Sequence, residues 1–174
     1  MKLLSLLLAG LLTLTTAACS TFPPKKDTVL APYTKVLVKP LSFDEVSFDK
    51  MSSTDIEAFK KSKAFYTKLF NDGFSKTLPK TTYFDKALFG GKADSRTLVV
   101  EPKLVLIDPG IAMTLTGRGM TTCRLKDGGS GKVIGTYMVN RYIDRNPWVT
   151  YAVAVESLVA GMGEDAAWYM TDAK

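Results

Sequence analysis

Cys19 is the residue whose setting most clearly specifies a reaction. Thr16-Ala17-Ala18 bring small side chains up to it, and before them Leu3–Leu14 form an apolar run behind the positive start Met1-Lys2. This is the pattern of a secretory signal ending in a lipoprotein cleavage box, which predicts removal of residues 1–18 and acylation of Cys19. As a helix the apolar run would cover roughly 18 Å, well short of a ~30 Å hydrocarbon core, so it reads as a signal and not as a spanning anchor. Thr16 stands where leucine is customary in such a box. Ordinary secretory cleavage after the same small residues is the alternative, and it would leave Cys19 and Cys123 able to pair. Under acylation Cys123 is the one thiol left. An internal disulfide is then impossible, and stability has to come from a hydrophobic core.

The remaining inventory is poor in reactive groups. The chain of 174 residues contains no histidine, which removes histidine-dependent triads, histidine general bases and histidine metal sites. Cys123 lies between Thr122 and Arg124 in a predicted strand; alternation sends those neighbours to the opposite face, so the thiol is expected to be structural. Gly128-Gly129-Ser130-Gly131-Lys132 resembles a phosphate loop, but Lys126 stands where its first glycine should be and Val133 replaces the metal-binding hydroxyl. A hairpin turn is the better reading. Gly117-Arg118-Gly119 lacks the third glycine of a dinucleotide loop, with Thr122 in its place. Asp44, Glu45 and Asp49 before the first helix, and Glu164-Asp165 in the last, read as solvated charges. No calcium-loop spacing is present. These readings assign no catalytic residue, no metal and no cofactor, and they predict that the protein is not an enzyme.

The charge balance is moderately basic, with a formal net charge of +6. A secreted address without a nucleic-acid-binding motif argues against DNA or RNA as a partner. A positive domain near a bilayer suits anionic headgroups or an acidic protein. Lys60, Lys61 and Lys68, on the polar side of the first helix, are the candidate contact with an envelope protein, together with a sheet edge near Pro102.

The elements that would carry these residues follow from periodicity. Ser20 to Tyr33 contains Pro23, Pro24 and Pro32 and reads as a semi-extended tether, giving a tether over 19–34 and a single periplasmic domain over 35–174. Lys35 to Leu41 predicts a strand. Thr54-Asp55-Ile56-Glu57 matches a capping box, and Ile56, Phe59, Tyr66, Leu69, Phe70 and Phe74 form the apolar stripe of one helix ending near Leu78-Pro79. That stripe reads as core rather than as a partner groove. Short strand character at Thr82–Phe84 precedes a strand at Leu98–Ile107, where Pro102 implies an edge or a bulge. A turn at Asp108-Pro109-Gly110 leads to a strand over Ala112–Lys126, bent at Gly117 and Gly119, and then to a strand from Lys132 to about Tyr142. Asn146-Pro147 predicts the start of a last helix over Trp148–Met170, apolar on more than one side and therefore covered. The fold expected is α/β, an α+β sandwich with a mixed or mainly antiparallel sheet of about four or five strands backed by two helices.

Val36-Leu37-Val38-Lys39-Pro40 ahead of a long helix, Leu98-Val99-Val100-Glu101, and the run from Gly117 through Lys126-Asp127 to Ser130-Gly131-Lys132-Val133-Ile134-Gly135 resemble a domain-of-unknown-function family of Gram-negative lipoproteins. Their domain is similar to that of the curli-secretion lipoprotein and to the N-terminal domain of the Tol-system translocation protein. The resemblance covers most of the chain after the signal. It implies a sheet backed by helices and a role in envelope assembly or secretion, and Ser20 after the cysteine implies sorting to the outer membrane. Segments for membrane hairpins like those of the curli pore are not evident. The function expected is that of a lipid-anchored, periplasm-facing envelope lipoprotein acting as a non-enzymatic binding or assembly component. The alternatives are a structural homo-oligomer of a secretion or envelope complex and, less favoured, an envelope hydrolase.

Overall fold

A computed structural model of the chain describes residues 29–78, 84–144 and 147–170. The strands are β1 Lys35–Val38, β2 Ser47–Phe48, β3 Lys86–Leu88, β4 Thr97–Asp108, β5 Gly117–Asp127 and β6 Val133–Ile143; the helices are α1 Ser53–Lys61, α2 Lys63–Thr77 and α3 Tyr151–Tyr169. Six strands form one open mixed sheet in the order β3-β1-β4-β5-β6, with β2 pairing beside β1 on β4. β1 is parallel to β3 and β4, whereas β5 is antiparallel to both β4 and β6. The α+β class is as expected, with one strand and one helix more than the sequence suggests.

The additional helix arises at Ser62. Its N–H turns back to the Phe59 carbonyl and its backbone sits at φ −101°, ψ 20°, so the regular four-residue ladder breaks and α2 restarts from the Ser62 carbonyl. The break does not interrupt the apolar stripe: Phe59 and Tyr66 stack across it at 4.3 Å, and Phe59, Tyr66, Phe70 and Phe74 are all buried. The stripe is core. The helix start also differs from expectation, because Ser52 and not Thr54 is the cap, its hydroxyl accepting from the Asp55 N–H at 3.1 Å. α3 likewise begins later than Pro147. Thr150 caps it by accepting from the Val153 N–H.

Strand boundaries move for tertiary reasons. β1 ends at Val38, and only Ser42 beyond it bridges back to Lys103. The expected strand near Thr82 lies largely outside the described residues, and the pairing strand is instead Lys86–Leu88. β5 begins at Gly117, because Ile111–Leu115 closes into its own small arch. Leu30 and Tyr33, which composition places in the tether, are buried in the core, and the Tyr33 hydroxyl donates to Asp127 at 2.9 Å.

The core lies on one face of the sheet. Val36, Val38, Leu98, Val100, Leu104, Cys123 and Val139 meet Phe70 and Phe74 from α2 and Val155, Val159 and Met162 from α3 in one cluster. Glycines set its thickness. A Cβ on Gly73 would lie 2.1 Å from the Ala160 carbonyl oxygen, and one on Gly163 would lie 2.1 Å from that of Phe70. The pairing of 70 with 163 and 73 with 160 makes α2 and α3 antiparallel and brings their backbones into contact. At Gly119 a Cβ would meet the Met162 side chain at 2.9 Å, so this glycine admits α3 onto β5. The irregularity expected there falls on neighbouring β4, at Val105 between Leu104 and Leu106.

Gly163→Ala is therefore expected to force the two helices apart and to cost about 1–3 kcal/mol. Gly90→Ala, with nothing within 4 Å of the added carbon, should be close to neutral. Urea unfolding of both variants checks the contrast.

Candidate functional site

The second face of the sheet carries the polar side chains of β4, β5 and β6. Alternation along β4 turns Leu98, Val100 and Leu104 inward and leaves Glu101 and Lys103 outward. Register then sets their neighbours. Glu101 stands opposite Arg124, and Lys103 opposite Thr122. The Glu101 carboxylate accepts from Arg124 Nε at 2.9 Å and from Lys126 Nζ at 2.7 Å, which makes it the centre of the face. Lys103 Nζ reaches Glu45 Oε2 at 2.6 Å. Glu45 sits in the left-handed region at φ 60°, a conformation that costs a non-glycine residue and is held here by the loop between β1 and β2.

Pro102 explains why that loop leaves the sheet. Val100 O accepts from Lys39 N, Pro102 O from Ser42 N, and Ser42 O from Leu104 N. The rung between Lys39 and residue 102 requires an N–H at 102, which proline lacks. β1 accordingly departs at Lys39-Pro40 and returns at Ser42. Pro102 is thus in an interior strand, opposite Cys123 of β5, and the expected sheet edge at this residue is corrected. The departing segment walls a shallow groove of about 850 Å³, whose floor includes Glu101, Lys103, Thr122 and Arg124.

Electrostatics make the groove a field of paired charges. Burial pushes the Glu101 carboxyl up, but hydrogen bonds and charge from Lys126 and Arg124 outweigh it and leave the pKa below its ordinary value of 4.5. Glu45 is lowered by its hydrogen bond to Lys103. Both are ionised and neither is poised to accept a proton near neutrality. What the groove offers is complementary charge, hydroxyl and backbone groups to a polar partner.

Other anticipated residues lie apart from it. Cys123 is fully buried, and burial raises its thiol to about 12, partly offset by a hydrogen bond with Tyr137. It is structural, as alternation implies. Tyr137 in turn donates to the Ala166 carbonyl at 2.9 Å. Gly128–Gly131 forms the turn between β5 and β6, in which Asp127 accepts from the Ser130 N–H and hydroxyl. Asp44 accepts from Ser42, and Asp49 pairs with Lys50, which also bridges to Asp108. Glu164 pairs with Lys76 and Asp165 with Arg141; burial raises the Asp165 carboxyl, opposed by Arg141. Lys60, Lys61 and Lys68 are exposed on α1 and α2, with Lys68 paired to Asp72 one turn on. Cys19 lies outside the described residues. Among those described, no group of three or more His, Cys, Asp or Glu side chains could hold a metal ion, and no helix is long and apolar enough to cross a membrane. The Glu101–Arg124–Lys126 cluster is absent from the sequence-based candidates; the outward alternation of Glu101 was its one local signal.

No protein-family model and no curated protein matches the sequence. Solved structures do. The chain is similar to protein XCC0632 of Xanthomonas campestris, of family DUF330, with a TM-score of 0.53 at 8% identity over 80% of this chain and 84% of that one. This is a shared fold. PelC of Paraburkholderia phytofirmans, a dodecamer, gives a TM-score of 0.43 at 10% identity over 77% of this chain and 89% of that one. A minor lipoprotein of Acinetobacter baumannii gives 0.41 at 8% identity over 80% and 91%.

A depressed carboxyl pKa stabilises the folded state above the unfolded pKa, and that contribution is lost as pH falls through the folded value. Wild-type stability should therefore drop below about pH 4.5 more steeply than that of Glu101→Gln, which should be less stable at pH 7. Urea titrations between pH 3 and 7 measure both; parallel acid limbs would remove Glu101 as a source of the drop.

Proposed function

We propose that the protein is a lipid-anchored lipoprotein of the outer membrane, facing the periplasm, that acts as a non-enzymatic binding or assembly component of the envelope. Under this reading residues 1–18 are the signal, Cys19 carries the acyl groups, the following segment is a tether and the rest is one domain. The observation that carries it is Cys19 placed directly after Thr16-Ala17-Ala18 and the apolar run. Support from the fold is indirect. A groove whose Glu45 and Glu101 carboxylates are tied up in ion pairs, with its nearest thiol buried and raised to about 12, favours binding over hydrolysis. The envelope hydrolase reading would have to rest on Ser42, whose hydroxyl donates to Asp44 at 2.9 Å at the groove wall, with no histidine in the chain to serve as a base.

A second reading, a structural homo-oligomer, is favoured by β6. This strand of 11 residues is an edge of the sheet, and long edges are templates for pairing. Light scattering that finds a monomer at every concentration would reject it.

Mass spectrometry of the mature protein should give a chain beginning at an acylated Cys19, and Cys19→Ala should move it from the membrane fraction to the soluble one. An unacylated amino terminus would reject the anchor. Reversing Lys60, Lys61 and Lys68 to Glu should lower capture of the envelope partner about tenfold if this face is the contact; undiminished capture would turn attention to the groove.

A further inference from the structure

The end of the domain opposite the tether concentrates apolar side chains in water. Trp148 is 90% exposed and Met113 78%, the two most exposed large apolar residues among those described. Ile111 and Leu115 flank Met113 at 47% and 48%. The loop bearing them is an ordered arch: Ile111 N donates to Leu115 O, and Leu115 N returns the bond to Ile111 O, both at 3.0 Å. Met113 at its apex is held at φ 65°. Gly110, at φ +71°, passes where a Cβ would meet the Leu115 carbonyl oxygen at 2.4 Å, so the arch cannot open without losing contacts. The Thr116 hydroxyl donates to Asp144 at 3.3 Å, tying the arch to the end of β6, four residues before Trp148. From Pro109 to Gly117 the chain has no charged residue. Beyond it, Arg118 lies over the Tyr142 ring at 5.7 Å.

We propose that this tip is a bilayer contact, in which Met113, its flanking Ile111 and Leu115, and Trp148 enter the headgroup–acyl boundary. A charge-free, apolar arch suits a deformable apolar solvent, and an exposed tryptophan four residues past the Asp144 tie, with Arg118 over Tyr142 behind the arch, supplies side chains typical of a membrane interface. The chain length outside the structure is compatible. The tether joins at Val29, beside Met170 at the far end of α3; the length of α3, 19 residues or about 28 Å, makes up most of the separation between that point and the tip. Ser20 to Thr28 can span at most about 30 Å, so a cysteine anchored in the bilayer and an inserted tip can share one surface. The proposal rests on the membrane-tethered reading only for what brings the tip to lipid; the contact itself requires no acyl group.

The test uses the chain from residue 19 onward, which keeps every residue of the fold, with Cys19→Ala to exclude acylation and Trp168→Phe to leave Trp148 as the sole tryptophan. With phosphatidylethanolamine–phosphatidylglycerol vesicles, Trp148 emission should shift to the blue, brominated acyl chains should quench it, and the protein should sediment with the lipid. Met113→Asp should lower the bound fraction about tenfold or more; the same substitution in a chain retaining Trp168 gives the sedimentation result should Trp168→Phe disturb folding. Unchanged emission with protein left in the supernatant overturns the proposal. Sedimentation that Met113→Asp does not reduce overturns it too, since the contact is then electrostatic and elsewhere. So does a blue shift that needs no vesicles and follows protein concentration, which makes the tip an interface with a second copy.

Discussion

The approach of α2 to α3 sets the dimensions of everything above the sheet. Gly73 and Gly163 each lie against a carbonyl of the other helix, where a single added carbon would stand 2.1 Å from oxygen. Contact this close leaves no layer of side chains between the helices. α3 is then free to settle on β5, where Gly119 receives Met162 and the Thr121 hydroxyl meets the Met162 sulfur at 3.1 Å. A third close passage, Arg141 across Gly161, fixes β6 to the same helix and brings the guanidinium to Asp165. Displacing α3 outward would open all three contacts together, because packed interiors do not yield gradually.

β4 plays the corresponding part within the sheet. It pairs with β1 and β2 on one side and β5 on the other, so its alternation partitions the molecule into an apolar half and a polar half. Pro102 adds a local consequence. By withholding one N–H from an interior ladder it sends β1 out of the sheet for a few residues, and the displaced segment becomes the wall that carries Glu45 to Lys103. The groove exists because one donor is missing, and its floor is charged because Glu101 and Lys103 flank that proline on the solvent side.

Long elements were legible in the sequence. β4, β6 and α3 appear close to where periodicity puts them, since each has enough residues for its pattern to outweigh local noise. The break at Ser62 was not legible, because serine is acceptable inside a helix and the apolar stripe runs on through Phe59 and Tyr66. The helix start follows Ser52, whose hydroxyl accepts from Asp55, and not the expected Thr54 to Glu57 box, a shift of two residues. β2, two residues long, exists solely through its pairing with β4. Gly73 and Gly163 look like propensity defects in helices until the second helix is in place. The Glu101 cluster depends on register between β4 and β5, a non-local quantity, so no window along the chain contains it.

The two ends of the β5–β6 ladder are finished in opposite ways, and chemistry separates them more than shape does. At the hairpin end Asp127 gathers the Ser130 N–H, the Ser130 hydroxyl and the Tyr33 hydroxyl, closing the turn with polar groups and tying in the residues that follow the tether. Turns that face water gain from such bonds. At the other end the chain spends nine residues, Pro109 to Gly117, without a charge; the Ile111–Leu115 backbone pair closes the arch, joined by the Thr114 hydroxyl on the Ile111 carbonyl and that of Thr116 on Asp144, and Met113 is left to the solvent. Met113, like Glu45 and Lys50, sits in the left-handed region, where a glycine or asparagine would relieve strain and, at Met113, expose less apolar surface. The left-handed backbone at Met113 carries its side chain at the arch apex, 78% exposed, in contrast to the polar closure at the hairpin.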